Sequence, residues 1–193
     1  MQRVGAFLRQ YPKVRLHVNV DTAPRLRKAL AHGDIDIAIL LDPYHEGERL
    51  RILHHSSSPI AFITAVDSPF ANRSVCLREL VDSTWVLTQR GTNYRKKLED
   101  DLMERQLYLR DRVEIGTSKT IIDFVAAGLG LSLLPAVTVA DAVRAGHVAV
   151  IDVTDYQIDM QLQILAADER WLPHPLALLA EDFARGIAGE DHN

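Results

Sequence analysis

Three short stretches of this chain gather the groups best suited to holding a small anion: Asp21-Thr22-Ala23, Thr88-Gln89-Arg90-Gly91-Thr92-Asn93 and Gly116-Thr117-Ser118. They are built from hydroxyl, amide and glycine residues, and each stands just before a run of helical spacing. A helix N-terminus has backbone N–H donors without intrahelical partners and a partial positive charge, so it binds anions without a charged side chain. Each such terminus contributes ~0.3–1 kcal/mol at an exposed site and up to ~2 kcal/mol when partly buried, so several converging ones matter. Arg90 adds one cation to the middle stretch, either to pair with a carboxylate or to stand as a surface arginine. Thr22 reads equally as a ligand contact or as a helix cap. The stretches contain Thr22, Thr88, Gln89, Arg90, Gly91, Thr92, Thr117 and Ser118, and the chemistry they suggest is recognition of an anionic or carboxylate-bearing small molecule.

Other chemistry is hard to assemble. Asp42, His45, Glu46 and Glu48 are metal-like side chains, but Pro43 and Gly47 place them in a loop of solvated charges. The adjacent His54 and His55 point to opposite faces of an extended segment, a poor geometry for one metal ion. Cys76 has no base near it in sequence and reads as a packing residue. Gly128-Leu129-Gly130 follows a helix and lacks the third glycine and the lysine of nucleotide loops. These residues call for no catalytic group, no cofactor and no metal.

The elements that must position the three stretches follow from periodicity. Val4, Phe7, Leu8 and Tyr11 have helical spacing, and Pro12 ends that helix. Val14, Leu16, Val18 and Val20 alternate with polar residues, so 14–20 reads as a strand. Asp21 or Thr22 caps the next helix, Pro24 suits its first turn and Gly33 stops it. Residues 35–41 form a near-continuous apolar strand, for which parallel pairing and a right-handed crossover are expected. Residues 50–53 and 60–66 read as two strands joined through His54-His55-Ser56-Ser57-Ser58-Pro59. Further on come a short helix or turn at 77–81, a strand at 85–88, a helix from Tyr94 to about Gln106 and a strand at 112–115.

The run Ile121-Ile122-Asp123-Phe124-Val125-Ala126-Ala127-Gly128-Leu129-Gly130-Leu131-Ser132-Leu133-Leu134-Pro135 reads as a buried helix, a glycine stop and a buried strand. Ser118 reads as its N-cap and Gly128 as the left-handed residue past its end. The plain alternative is packing alone, since any helix-to-strand connection needs a cap and a stop. A helix at 136–145, strands at 148–153 and 160–166, and a final helix through Leu176, Leu179 and Phe183 complete the chain. This order predicts an α/β fold with two lobes, each a mostly parallel sheet flanked by helices: 1–61 plus 162–193, and 62–161. Two crossings between lobes would act as a hinge, and ligands of such sheets sit beyond the carboxyl ends of the strands.

Composition bounds the class. The 193 residues suffice for one domain or two small lobes, and 47% apolar with 25% charged residues is ordinary for a globular protein. A single cysteine gives no internal disulfide framework and is compatible with a cytoplasmic location. No apolar run is long enough for a membrane span, and no secretion signal opens the sequence. Net charge is −4, with no dense basic segment interleaved with aromatics, which argues against nucleic-acid binding by this chain itself. Residues 1–30 carry seven basic side chains against one acid, Asp21, read as the solvated faces of two helices rather than a contact with an acidic partner.

Three segments carry a family likeness: Phe7-Leu8-Arg9-Gln10-Tyr11-Pro12-Lys13-Val14, Gly33-Asp34-Ile35-Asp36-Ile37-Ala38-Ile39, and Phe124 through Pro135. At their intervals they resemble the effector-binding domain of LysR-type transcriptional regulators, across nearly the whole chain. The resemblance implies a type 2 periplasmic-binding-protein-like fold, an effector between the lobes and homodimers or tetramers. It also implies DNA contact only through a winged helix-turn-helix domain absent from this chain. Relatives begin this domain with a strand ahead of the first helix here, so the resemblance implies a first lobe lacking one strand, less stable and with exposed edges. By matching position the resemblance implies ligand contacts at Thr22, at Thr88 to Thr92 and at Thr117 and Ser118, while Leu40 and Leu41 stand where some relatives place a polar or basic ligand contact. The alternatives on the same fold are a solute receptor of a transporter and a prephenate-dehydratase-like lyase, for which the stretches offer no paired acid.

Overall fold

The computed structural model describes residues 2–43, 50–71, 73–168 and 171–188, so His45, Glu46 and Glu48 lie outside the described residues. The elements in chain order are α1 (Gln2–Gln10), α2 (Ala23–His32), β1 (Ile37–Asp42), β2 (Leu50–Ala65), β3 (Ser74–Val75), α3 (Leu77–Leu80), β4 (Thr84–Thr88) and α4 (Asn93–Glu104). They continue with β5 (Asp111–Ile115), α5 (Ser118–Ala126), β6 (Ser132–Pro135), α6 (Ala136–Arg144), β7 (Val148–Val153), β8 (Asp159–Ala167) and α7 (His174–Ala188). The chain divides into two compact units, Met1–Ser57 with Gln161–Asn193, and Ser58–Met160. It crosses between them within β2 and within β8.

In the first unit β1 pairs antiparallel with β8, and β8 lies next to β2. Helix α2 closes this sheet by placing Leu30 against Ala38, Leu40 and Leu165, with Leu26, Ile35, Leu50 and Ile52 around them. Its end follows the glycine rule: Gly33 sits at φ 79°, and its N–H reaches the carbonyls of Ala29 and Leu30.

Two expectations for this unit are corrected. Residues 14–20 form no strand and pair with none among the described residues, and Val18 and Val20 are 73% and 96% exposed. Alternation prescribes which side chains would face a core, but a strand also needs a neighbour to take its backbone groups. The parallel opening pair is accordingly absent, and β1 finds its partner at the far end of the chain.

In the second unit β2 pairs antiparallel with β6 and β7, β7 pairs parallel with β3, and β4 pairs parallel with β5. The ladders of the α/β fold are thus mixed rather than mostly parallel. Leu77, Leu80, Trp85, Val86, Leu87, Leu98, Ile121, Val125 and Leu134 are fully buried among them. Trp85 settles its one polar atom by donating Nε1–H to the Leu80 carbonyl at 3.0 Å, and Phe62 meets the indole edge-on.

Residues 50–53 and 60–65 belong to one sixteen-residue strand rather than two, and Val66 falls in the turn that follows. The serines between them carry polar side chains and no break in backbone geometry, so a ladder continues through them once neighbours are present.

The segment 121–135 folds as its pattern predicts. Helix α5 ends in paired reversed hydrogen bonds, Gly128 N–H to Val125 O at 2.9 Å and Leu129 N–H to Phe124 O at 3.1 Å, around Gly128 at φ 75°. Gly130, at φ 151°, lets the chain pass against the Thr84 backbone, where a Cβ would collide with the Thr84 carbonyl oxygen. Leu131 then bridges to Trp85 through Leu131 N–H to Thr84 O and Val86 N–H to Leu131 O.

These two glycines are separable by experiment. Gly128→Ala meets no neighbour and should lose ~1–2 kcal/mol from the left-handed conformation alone. Gly130→Ala adds a backbone collision and should lose about 2–4 kcal/mol in urea unfolding. Equal losses for the two substitutions would contradict this account of the α5-to-β6 turn.

Candidate functional site

Parallel pairing of β4 with β5 sets Thr88 opposite Ile115 and brings the following loops, 89–92 and 116–117, to one end of the second unit. Both loops lead directly into helices, so α4 and α5 begin at the carboxyl ends of neighbouring strands. Neither helix has an acidic residue in its first turn to offset its N-terminal field. The loops touch: a Cβ on Gly116 would lie 3.3 Å from the Gln89 side-chain nitrogen, so Gln89 lies over the Gly116 backbone.

The hydroxyls at this end differ in their commitments. Thr92 is the N-cap of α4 but makes no side-chain cap, its Oγ1 standing 2.7 Å from Thr88 Oγ1. Both hydroxyls also bond the Tyr94 side chain; burial raises the Tyr94 phenol above its ordinary value, and those bonds offset part of the rise. At α5 the cap is Thr117, not Ser118. Thr117 Oγ1 accepts the Thr120 amide at 3.3 Å and lies 2.8 Å from the Thr120 hydroxyl, which leaves Ser118 as the first helical residue. Thr22 belongs to the first unit, where it caps α2 by position only, with no side-chain hydrogen bond; its N–H donates to Asp21 at 2.8 Å.

Sequence reasoning missed the group that holds this end together. Arg95 is 1% exposed, and its guanidinium donates to the Thr88 carbonyl, to Glu114 at 2.7 Å and to Glu99 at 3.0 Å. Burial pulls the Arg95 guanidinium down, but the hydrogen bonds to Glu114 and Glu99 outweigh it and leave it above its ordinary value. The bond from Arg95 holds the Glu114 carboxyl below the usual glutamate range. An acid therefore does stand beside these loops, contrary to expectation, and Arg90 is not the only cation there. Arg90 is largely exposed, with its Nε 3.7 Å from the same Glu114 oxygen. The signal was present in the spacing: Arg95 falls on the buried stripe of Leu98 and Leu102, at i, i+3 and i+7.

No group of metal-ligating side chains occurs among the described residues. His55 is exposed and His54 is turned inward, as an extended strand requires. Cys76 is exposed rather than packed; its Sγ lies 4.0 Å from the Thr154 hydroxyl. No helix among the described residues is long and apolar enough to cross a membrane.

With this geometry in hand, comparison with known proteins is informative. The family model for the LysR substrate binding domain matches residues 1–186. The chain is 28% identical over 180 residues to the uncharacterized HTH-type transcriptional regulator YwqM of Bacillus subtilis, covering 90% of this chain and 59% of that protein. In structure it is similar to the Synechocystis PCC6803 CcmR regulatory domain in complex with 2-PG, with a TM-score of 0.76, 19% identity, and 96% and 89% of the two chains covered. It is also similar to the effector binding domain of QuiR in complex with shikimate, with a TM-score of 0.68, 16% identity, and 98% and 91% covered. At these identities the structural likeness is one of fold.

The Arg95 network makes two linked predictions. Arg95→Met leaves Glu114 and Glu99 without their shared cation and should cost about 2–3 kcal/mol; this is below the ~3–5 kcal/mol of a fully buried pair because both glutamates keep solvent. Glu114 has a folded-state pKa below its unfolded value of ~4.3, so its contribution is complete above that value and disappears as pH falls through the folded one. Carboxyl NMR titration should place the Glu114 midpoint below ~4.3 in the parent chain and return it toward ~4.3 in Arg95→Met. An unchanged midpoint would remove Arg95 as the cause.

Proposed function

This chain belongs to the LysR substrate binding domain family, and from that premise we propose that it is the effector-sensing module of a transcription regulator, with a small carboxylate-bearing molecule as effector. The observation that carries the reading is the meeting of two uncompensated helix N-termini, those of α4 and α5, beside Thr88, Gln89, Thr92 and Thr117 at the carboxyl ends of β4 and β5. In open α/β sheets this is where ligands bind, and backbone donors there suit an anion. Ser118 and Gly91 complete the second unit's set, while Thr22, in the first unit, stands at the start of α2. Arg90 engages a ligand carboxylate by exchanging it for Glu114.

Related structures support the ligand class: the QuiR domain was solved with shikimate, a carboxylate, and the CcmR domain with 2-PG. The chain spans 59% of the length of YwqM, whose name marks it as HTH-type. We accordingly assign DNA contact to a helix-turn-helix region outside this chain and place the regulator in the cytoplasm as a homodimer or tetramer. Effector binding then acts by stabilising one conformation and one subunit arrangement over others, in proportion to its differential affinity for them.

A thermal-shift screen of small carboxylates tests the reading. A genuine effector should add roughly 2.7 kcal/mol of stability at a hundredfold excess over its dissociation constant. Thr92→Val and Ser118→Ala should each weaken that response while leaving the unliganded melting temperature within a few degrees. A carboxylate whose effect survives both substitutions binds elsewhere, and the proposed site would then be abandoned.

A further inference from the structure

The face of the first-unit sheet that packs under α2 is apolar at one end and polar at the other. Leu40 of β1, Leu165 of β8 and Ile52 of β2 belong to the apolar layer with Leu30. The two-residue period of strands carries the same face onward to Asp42, Gln163, and His54 with Ser56. Asp42 is matched: Arg27 donates to its Oδ2 from Nε at 3.1 Å and from Nη2 at 2.9 Å. The other three residues each leave one polar atom unmatched. Gln163 is 0% exposed, and its Nε2 donates to the Pro43 carbonyl at 3.3 Å, which orients the amide. Its Oε1 has no hydrogen-bond partner among the described residues, and neither do the shielded His54 Nε2 and Ser56 Oγ. Buried polar atoms are nearly always paired, and three unpaired ones on neighbouring strands of one sheet face are unusual.

We propose that Gln163, His54 and Ser56 form a binding site in the first unit for a hydroxyl-bearing small molecule. The chemistry of the three atoms sets the class. An amide oxygen only accepts, so the guest must donate at least one hydrogen bond. A serine hydroxyl both donates and accepts, and a neutral imidazole nitrogen does one or the other. Arg27 is already matched by Asp42, so it is not available to an anion at this row. Vicinal hydroxyls meet these terms; a bare carboxylate or a hydrocarbon does not. This goes beyond the carboxylate reading of the second-unit loops, which rests on other residues. The hydroxyls have two sources, a hydroxy acid or a neutral polyol.

The test uses three probes on the whole chain. Glycerate and propionate share a carbon skeleton with and without hydroxyls, and glycerol carries the hydroxyls without the carboxylate. The readouts are the Gln163 side-chain amide signals in NMR and the dissociation constants by calorimetry. Glycerate should move the Gln163 amide signals saturably and bind more tightly than propionate, and Gln163→Leu should weaken glycerate roughly tenfold without altering propionate. Saturable movement with glycerol as well identifies the neutral polyol as a sufficient guest; movement with glycerate alone identifies the hydroxy acid. Ser56→Ala, the loss of one oxygen, carries the same comparison should Gln163→Leu not fold. The proposal is overturned if neither hydroxylated probe moves Gln163, or if the advantage of glycerate over propionate survives both substitutions. Substitutions that raise the melting temperature without changing any probe's binding would also overturn it, by showing an internally hydrated patch. Failure of propionate while hydroxylated probes still move Gln163 would defeat the loop reading and leave this site standing.

Discussion

A single buried guanidinium fixes the end of the second unit where two loops meet. Arg95 is carried inward by the same helical face as Leu98 and Leu102, and burial there is tolerable only because its donors are taken up by the Thr88 carbonyl, Glu114 and Glu99. Those acceptors lie at the ends of β4 and β5 and on α4 itself. The bonds therefore bind two strand termini to the helix that follows one of them. The positions of the Thr88 and Thr92 hydroxyls, of Tyr94 beneath them and of Arg90 beside Glu114 all depend on this arrangement. A planar, permanently charged group with donors in a fixed fork does this where a lysine would not.

The other support of the same end is the α5-to-β6 connection. Its helix is stopped by Gly128, redirected by Gly130 and joined to β4 through Leu131. Because β4 is thereby held between β5 and the start of β6, its carboxyl end cannot drift, and loops 89–92 and 116–117 stay in register. Parallel pairing places the helix starts at one end of the sheet; antiparallel pairing would have sent them to opposite ends. The same unit thus gives both the rigid core of Trp85, Leu87 and Leu98 and the polar rim of loops 89–92 and 116–117.

Reading the residues in order recovered most elements of this molecule, and the errors share one cause. Helices α2, α4, α5 and α6 announce themselves through caps, stops and apolar stripes, all of which act over a few residues. Residues 14–20 alternate as a strand should and yet lack a partner, while 54–59 look like a loop and lie inside β2. In both places the local pattern is silent about whether another strand lies alongside. The loops that bear the candidate site were legible because hydroxyls and glycines before a helix are local signals. The tie between Arg95 and Glu114, nineteen residues apart, was not.

What the sequence by itself determined was the α/β class, the helix boundaries, the left-handed glycines and, through three spaced segments, the family. These depend on backbone sterics and side-chain periodicity, which a short stretch of chain contains in full. Tertiary structure alone decided the direction of each ladder, the pairing of β1 with β8 from the far end of the chain, the burial of Arg95 and the polar row of Gln163, His54 and Ser56. Hydrogen-bond ladders and desolvation are properties of neighbours in space, and no local pattern states which distant residues those neighbours will be.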